Sequence, residues 1–174
     1  MTAAHNPVLR AHDLLTTVST YIGGAALGAS TLMYIYEVAV RYFFNAPTTW
    51  TSDWTSYLLV IVIFAVAPEL CRRGGHIAIE LLPENLPSTP RRVLETVTMA
   101  LAAAVCLTSG WIAFEEAIQL FDRGVVTIAS AKTQKWWIMA VIVYGFFNSG
   151  LYFIRHCYGI ATRSEPHPKD VSVG

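Results

Sequence analysis

Residues 135–155 read KWWIMAVIVYGFFNSGLYFIR, and the 19 residues between Lys135 and Arg155 include no Asp, Glu, Lys or Arg. A helix rises about 1.5 Å per residue, so roughly 20 apolar residues cross a hydrocarbon core about 30 Å thick. Three other segments have the same character. Glu95 and Glu115 also enclose 19 uncharged residues, Asp13 and Glu37 enclose 23, and Trp54 to Cys71 holds only Glu69. The expectation is an all-α integral membrane protein with four transmembrane helices, at about 14–36, 54–71, 93–114 and 136–154. They would form one membrane domain, 14–160, between polar tails at 1–13 and 161–174.

In a chain of 174 residues four spans leave short loops and no room for a separate soluble domain. The low 14% of charged residues agrees with that class, and a formal net charge of zero argues against a nucleic-acid partner. Basic residues in short loops are retained on the cytoplasmic side during insertion. With four crossings, Arg10, Arg72, Arg73, Arg91, Arg92, Arg155, Arg163 and Lys169 fall on one side. Arg41, Arg123, Lys132 and Lys135 fall on the other, an eight-to-four split. Both termini are therefore expected in the cytoplasm. Cys71 and Cys157 then lie near the reducing face and Cys106 within the third span, so no disulfide framework is expected. The first apolar segment is long enough to be read as a retained span rather than a cleaved signal.

The loops carry the more specific signals. Glu37 and Arg41 stand four apart with the acid first, the favourable order for a same-face helical ion pair, and Arg41 is expected to order the hairpin that follows. Asn45, Ala46 and Pro47 end that helix, and Thr48, Thr49 and Thr51 offer hydroxyls to cap the next. Asp53 is expected in its first turn, with Trp50 and Trp54 as interfacial anchors. Pro68 should kink or end the second span. After Arg72-Arg73-Gly74-Gly75-His76, the run Ile77 to Leu82 reads as a short interfacial element between spans two and three, closed by Pro83, Pro87 and Pro90. At the outer end of span three, Glu115, Gln119 and Asp122 are spaced by four and three on one helix face. That face is either solvated or a docking surface for a soluble partner.

Chemistry is sparse. None of His5, His12, His76, His156 and His167 lies mid-span, which argues against a bis-histidine haem. The cysteines lack metal-ligand spacing and there is no phosphate-binding loop, so neither an enzyme nor a bound cofactor is expected. Charges sit at span ends rather than at the midplane, where a transporter acting alone would need them. Asn148 is the clearest internal polar side chain and reads first as an interhelical hydrogen-bonding group. Gly24 with Gly28, Ala100 with Ala104, and Gly145 with Ser149 are small pairs four apart. They suit close packing, within the chain or against a larger membrane partner.

The hairpin Arg41-Tyr42-Phe43-Phe44-Asn45-Ala46-Pro47-Thr48-Thr49-Trp50-Thr51-Ser52-Asp53 and the later Arg73-Gly74-Gly75-His76-Ile77-Ala78-Ile79-Glu80 resemble the small membrane subunit of tripartite ATP-independent periplasmic (TRAP) transporters, the DctQ type. Lys135-Trp136-Trp137 leading into span four adds to the likeness, which covers about residues 14–160. Asp53 stands where a glutamate is usual, and Ala65-Val66-Ala67-Pro68-Glu69 replaces a less polar, glycine-containing end of span two. The resemblance implies an inner-membrane, multi-pass scaffold for a large permease subunit, the M type. That subunit would hold the sodium and substrate sites, and a periplasmic binding protein, the P type, would deliver an organic acid. Membrane lipids are the remaining contact. Glu37, Arg41, Trp50, Asp53 and His76 would be structural or subunit-interface residues, and Glu115, Gln119 and Asp122 the periplasmic docking face. The competing expectation is a self-contained small homo-oligomeric transporter.

Overall fold

The structure, a computed structural model, describes residues 7–46, 48–73, 88–126 and 134–162. They form four helices: α1 (Pro7–Phe44), α2 (Thr49–Arg72), α3 (Ser88–Asp122) and α4 (Trp136–Thr162). Three are long and apolar enough to cross a membrane, over Trp50–Arg72, Val93–Asp122 and Trp136–Ile160. α1 is not among them, so the expectation of four transmembrane helices is corrected to three among the described residues. Absence of charge is not apolarity. α1 is 38 residues long, but its uncharged stretch is interrupted by Thr16, Thr17, Ser19, Thr20, Ser30 and Thr31 and by three glycines. Hydroxyls of Thr16, Thr17, Thr20 and Thr31 donate to carbonyls one turn back, at 2.9 to 3.1 Å. Those bonds satisfy the protons, yet they leave a helix less apolar than a lipid-facing span. The arrangement with both termini in the cytoplasm was built on four crossings and loses that basis. The interfacial element expected at 77–82 lies outside the described residues.

The helices pack in the order α1, α2, α4, α3, so α1 and α3 form the flanks. Residue pairings show α1 antiparallel to α2 (Ser19 meets Ala65, Tyr36 meets Trp50) and α3 antiparallel to α4 (Phe121 meets Trp136, Thr96 meets Cys157), whereas α2 and α4 run parallel, Tyr57 meeting Trp137 and Cys71 meeting His156. The buried apolar core is small and lies where α2, α3 and α4 converge, around Cys71, Ala103, Tyr152 and Phe153. Large apolar side chains elsewhere face outward, as Leu101, Val105 and Ile112 do on α3. In a bilayer, lipid solvates such a surface.

Pro68 sits inside α2 rather than at its end, and the helix continues to Arg72. Lacking an N–H, it leaves the Phe64 carbonyl without its usual partner one turn later. The two neighbours of α2, α1 and α4, close on that weak point. Ser19 Oγ of α1 lies 3.0 Å from the Ala65 oxygen, and α4 brings Gly145 against Phe64 so closely that an added β-carbon would stand 2.8 Å from its carbonyl oxygen. Only glycine permits that approach.

At the far end of α3, Gly124 adopts φ 58°. Its N–H reaches Phe121 O at 3.1 Å and the Val125 N–H reaches Leu120 O at 3.2 Å, a left-handed cap that returns the chain toward α4. Lys135 N–H then bonds Val125 O, and Val126 pairs with Gln134 in an isolated antiparallel bridge.

Candidate functional site

Two clusters of polar side chains stand at opposite ends of the helix layer. The first joins α1 to α2. Asn45, at φ 50°, ends α1 in the left-handed conformation that asparagine tolerates. Glu37, about two turns earlier, is buried, and its carboxylate turns into the hairpin. There it accepts the backbone N–H of Thr48 at 3.3 Å and the Thr48 hydroxyl, while its other oxygen takes Arg41 Nη2 at 3.1 Å. Thr48 Oγ1 also lies 2.7 Å from Thr51 Oγ1. The threonine expected to cap α2 with its own hydroxyl therefore does not, and makes no side-chain cap bond. A carboxylate from the preceding helix takes that place beside the positive end of α2.

The other expected hairpin residues are placed differently. The Arg41 side chain is 66% exposed, so it rims the cluster rather than ordering it from within. Trp50 is partly exposed, with its ring 6.2 Å from Tyr36. Asp53 is half-buried and falls beyond the first turn of α2, since the helix begins at Thr49. His76 lies outside the described residues. On α3, Glu115, Gln119 and Asp122 are all exposed; Trp111 Nε1 donates to Glu115 at 2.9 Å, and Arg123 reaches Gln119 at 3.4 Å.

The second cluster, at the basic end, was not anticipated. Glu69, almost wholly buried, takes Arg72 and Arg73, each at 2.7 Å. Beside it, α1 meets α4. Asn148 Nδ2 donates to Thr16 Oγ1 at 3.2 Å and to Tyr144 Oη at 2.9 Å; Tyr152 Oη lies 2.9 Å from Asp13 and 3.0 Å from Thr16 Oγ1. Arg155 Nη1 donates to Asp13 Oδ1 at 2.7 Å and lies 3.1 Å from His12 Nδ1, and its guanidinium stands 5.1 Å from the Tyr152 ring. Burial opposes the charge on Asp13, but bonds from Arg155 and Tyr152 outweigh it and hold the carboxyl below its ordinary pKa. His156 Nε2 caps α2 from α4, 3.0 Å from the Cys71 carbonyl. Helix α1 already begins at Pro7, so His12 and Asp13 belong to it rather than to a polar tail.

A pattern for this cluster exists in the sequence. Tyr144, Asn148, Tyr152 and Arg155 recur at spacings of four, four and three, a polar stripe on an otherwise apolar helix. Read singly, each passes for a boundary or packing residue. The small pairs divide as well: Gly145 and Ser149 are buried between helices, whereas Ala100 and Ala104 are exposed and Gly24 and Gly28 face open space.

Residues 30–163 match the family model of tripartite ATP-independent periplasmic transporters, DctQ component. The chain belongs to the DctQ family. No curated protein and no solved structure matches it. As a DctQ component it is a membrane subunit of a TRAP-type transporter, multi-pass in the inner membrane, and not an enzyme. The family match includes the Glu37 hairpin and all three membrane-spanning helices. His12, Asp13 and Thr16 lie before it, so the α1 half of the basic-end cluster stands outside the matched segment.

Proposed function

We propose that this DctQ component is a scaffold that seats a larger membrane subunit against the outward flank of α1, for sodium-driven import of an organic acid handed over by a periplasmic binding protein. The observation that carries the reading is the state of that flank. The inward face of α1 holds Ser19, Gly23, Ala26, Ser30 and Glu37, all buried. Helical spacing puts Gly24, Gly28, Ile35 and Tyr42 on the opposite side, exposed, with nothing within 4 Å of a β-carbon added at either glycine. An apolar helix face that carries a small-residue notch is suited to cover by another helix. The substrate and sodium sites are assigned to the large subunit. Glu115, Gln119 and Asp122, at the end remote from Arg72, Arg73 and Arg155, are assigned to the periplasmic side as a docking face for the binding protein.

Two measurements test this. The purified chain should hold the large membrane subunit through detergent extraction. Sodium-dependent uptake of organic acids into liposomes should require both, together with the binding protein. Robust uptake by this chain alone would overturn the scaffold reading.

A further inference from the structure

His12 stands where α1 meets the end of α4, and neither the transport role nor the family match uses it. Its ring lies 4.4 Å from that of Tyr152, its Nδ1 is 3.1 Å from Arg155 Nη1 and 3.9 Å from Asp13 Oδ1, and its Nε2 is buried without a partner. A guanidinium only donates. Nδ1 must therefore accept, and the ring is the neutral tautomer with its proton on Nε2. Arg155 Nη1 thus bridges two acceptors on α1, the imidazole and the Asp13 carboxylate.

We infer that His12 is an acid-sensitive latch between the start of α1 and the end of α4, closed while the imidazole is neutral and opened when it takes a proton. Protonation puts an N–H on Nδ1, so that two donors and two like charges face each other where one hydrogen bond stood. The imidazolium then competes with Arg155 for Asp13. Arg155, already 29% exposed, has water to turn to. The charges facing His12 are Asp13 on its own helix, which favours the proton, and Arg155 on α4, which opposes it; Arg72 of α2 acts on the same Asp13. The neutral polar neighbours on α4 are Asn148, which favours the protonated ring, and Tyr152, whose ring is 4.4 Å away. Burial, first, and Arg155 outweigh the opposing effects of Asn148 and Asp13 and hold the His12 pKa below its ordinary 6.5. Protons are thus bound less readily folded than unfolded. The latch contributes fully above about pH 6.5 and is lost as pH falls through the lower folded value.

The test uses the full-length chain in nanodiscs. Side-chain ¹⁵N spectra should show His12 as the neutral Nε2–H tautomer at pH 7.5; an Nδ1–H tautomer or a charged ring at that pH overturns the latch. Spin labels at Ala11→Cys and Ile154→Cys, both exposed sites, in a cysteine-free background should give a narrow distance distribution at pH 7.5. It should broaden and lengthen on acidification, with a midpoint below 6.5. His12→Gln, whose amide oxygen can still accept from Arg155 but cannot be protonated in this range, should keep the pH 7.5 distribution down to pH 5. An identical acid response in His12→Gln, or none in the unaltered chain, refutes the proposal.

Discussion

The carboxylate of Glu37, near the end of α1, holds the backbone N–H of Thr48, the residue that opens α2, at 3.3 Å. One acid thereby fixes the angle at which the chain re-enters the helix layer, and Arg41 reaches it only from the exposed side. Arg41→Ala should therefore cost at most about 1 kcal/mol, as exposed pairs do. Glu37→Ala leaves the Thr48 N–H and hydroxyl without their acceptor and should cost about 1 to 3 kcal/mol. Denaturation of the two variants in detergent, followed by tryptophan fluorescence, compares them; equal losses would contradict this division of labour.

Glu69 and its two arginines make an asymmetric trio. The acid side chain is only 5% exposed, whereas those of Arg72 and Arg73 are 34% and 73% exposed. Removing the acid frees two guanidinia that can turn to water. Removing both arginines strands a buried charge, a defect worth about 3 to 5 kcal/mol. The double variant Arg72→Ala/Arg73→Ala should express at a lower level and melt earlier than Glu69→Gln, and the reverse order would refute the asymmetry.

These contrasts show which features the sequence displays and which it hides. Charge-free lengths place α2, α3 and α4 well, because lipid demands apolarity all around a spanning helix. The same criterion misreads α1, where threonines and glycines are uncharged but not apolar. Glu37 and Arg41 are legible as a pair through their spacing. Burial of the acid depends on α2 folding back across it, and Thr48 lies 11 residues away. The basic-end cluster is harder still, since Asp13 and Arg155 meet across 142 positions and only the helix order brings them together.

Asp13 itself should report on pH separately from His12. Its carboxyl is held below its ordinary value, so its contribution is present above about pH 3.8 and disappears as pH falls through the lower folded value. Asp13 is about one-third exposed, so the effect is small, no more than about 1 kcal/mol. Asp13→Asn should flatten the acid limb of the stability curve below pH 4 while leaving the step nearer neutrality in place. A curve unchanged by the substitution would mean that Arg155 does not hold the carboxylate in solution.

Gly145 tests the close approach beside Pro68. A β-carbon there would sit 2.8 Å from both the Phe64 carbonyl oxygen and its β-carbon, and backbone cannot swing aside as a side-chain tip can. Gly145→Ala should push α4 away from α2 at a cost of about 1 to 3 kcal/mol. A thermal melt indistinguishable from the parent would show that the two helices are looser than this packing.

Gly24 and Gly28 provide the contrasting case, because a β-carbon at either meets nothing within 4 Å. In the isolated chain, Gly24→Leu/Gly28→Leu adds side chains to an open flank and replaces glycine inside a helix, where it costs up to about 1 kcal/mol relative to alanine. The double variant should thus be as stable as the parent or slightly more so. Within the transporter the outcome should reverse. If a helix of the large subunit lies in this notch, two leucines hold it off, and recovery of the complex should fall several-fold with sodium-dependent uptake falling alongside. Leu101→Phe on α3, at the other flank of the layer and 62% exposed, controls for a general effect of altering an apolar surface. The decisive measurement is co-purification of the tagged chain with the large subunit. Undiminished recovery with both leucines in place would remove the outward flank of α1 as the seat of that partner.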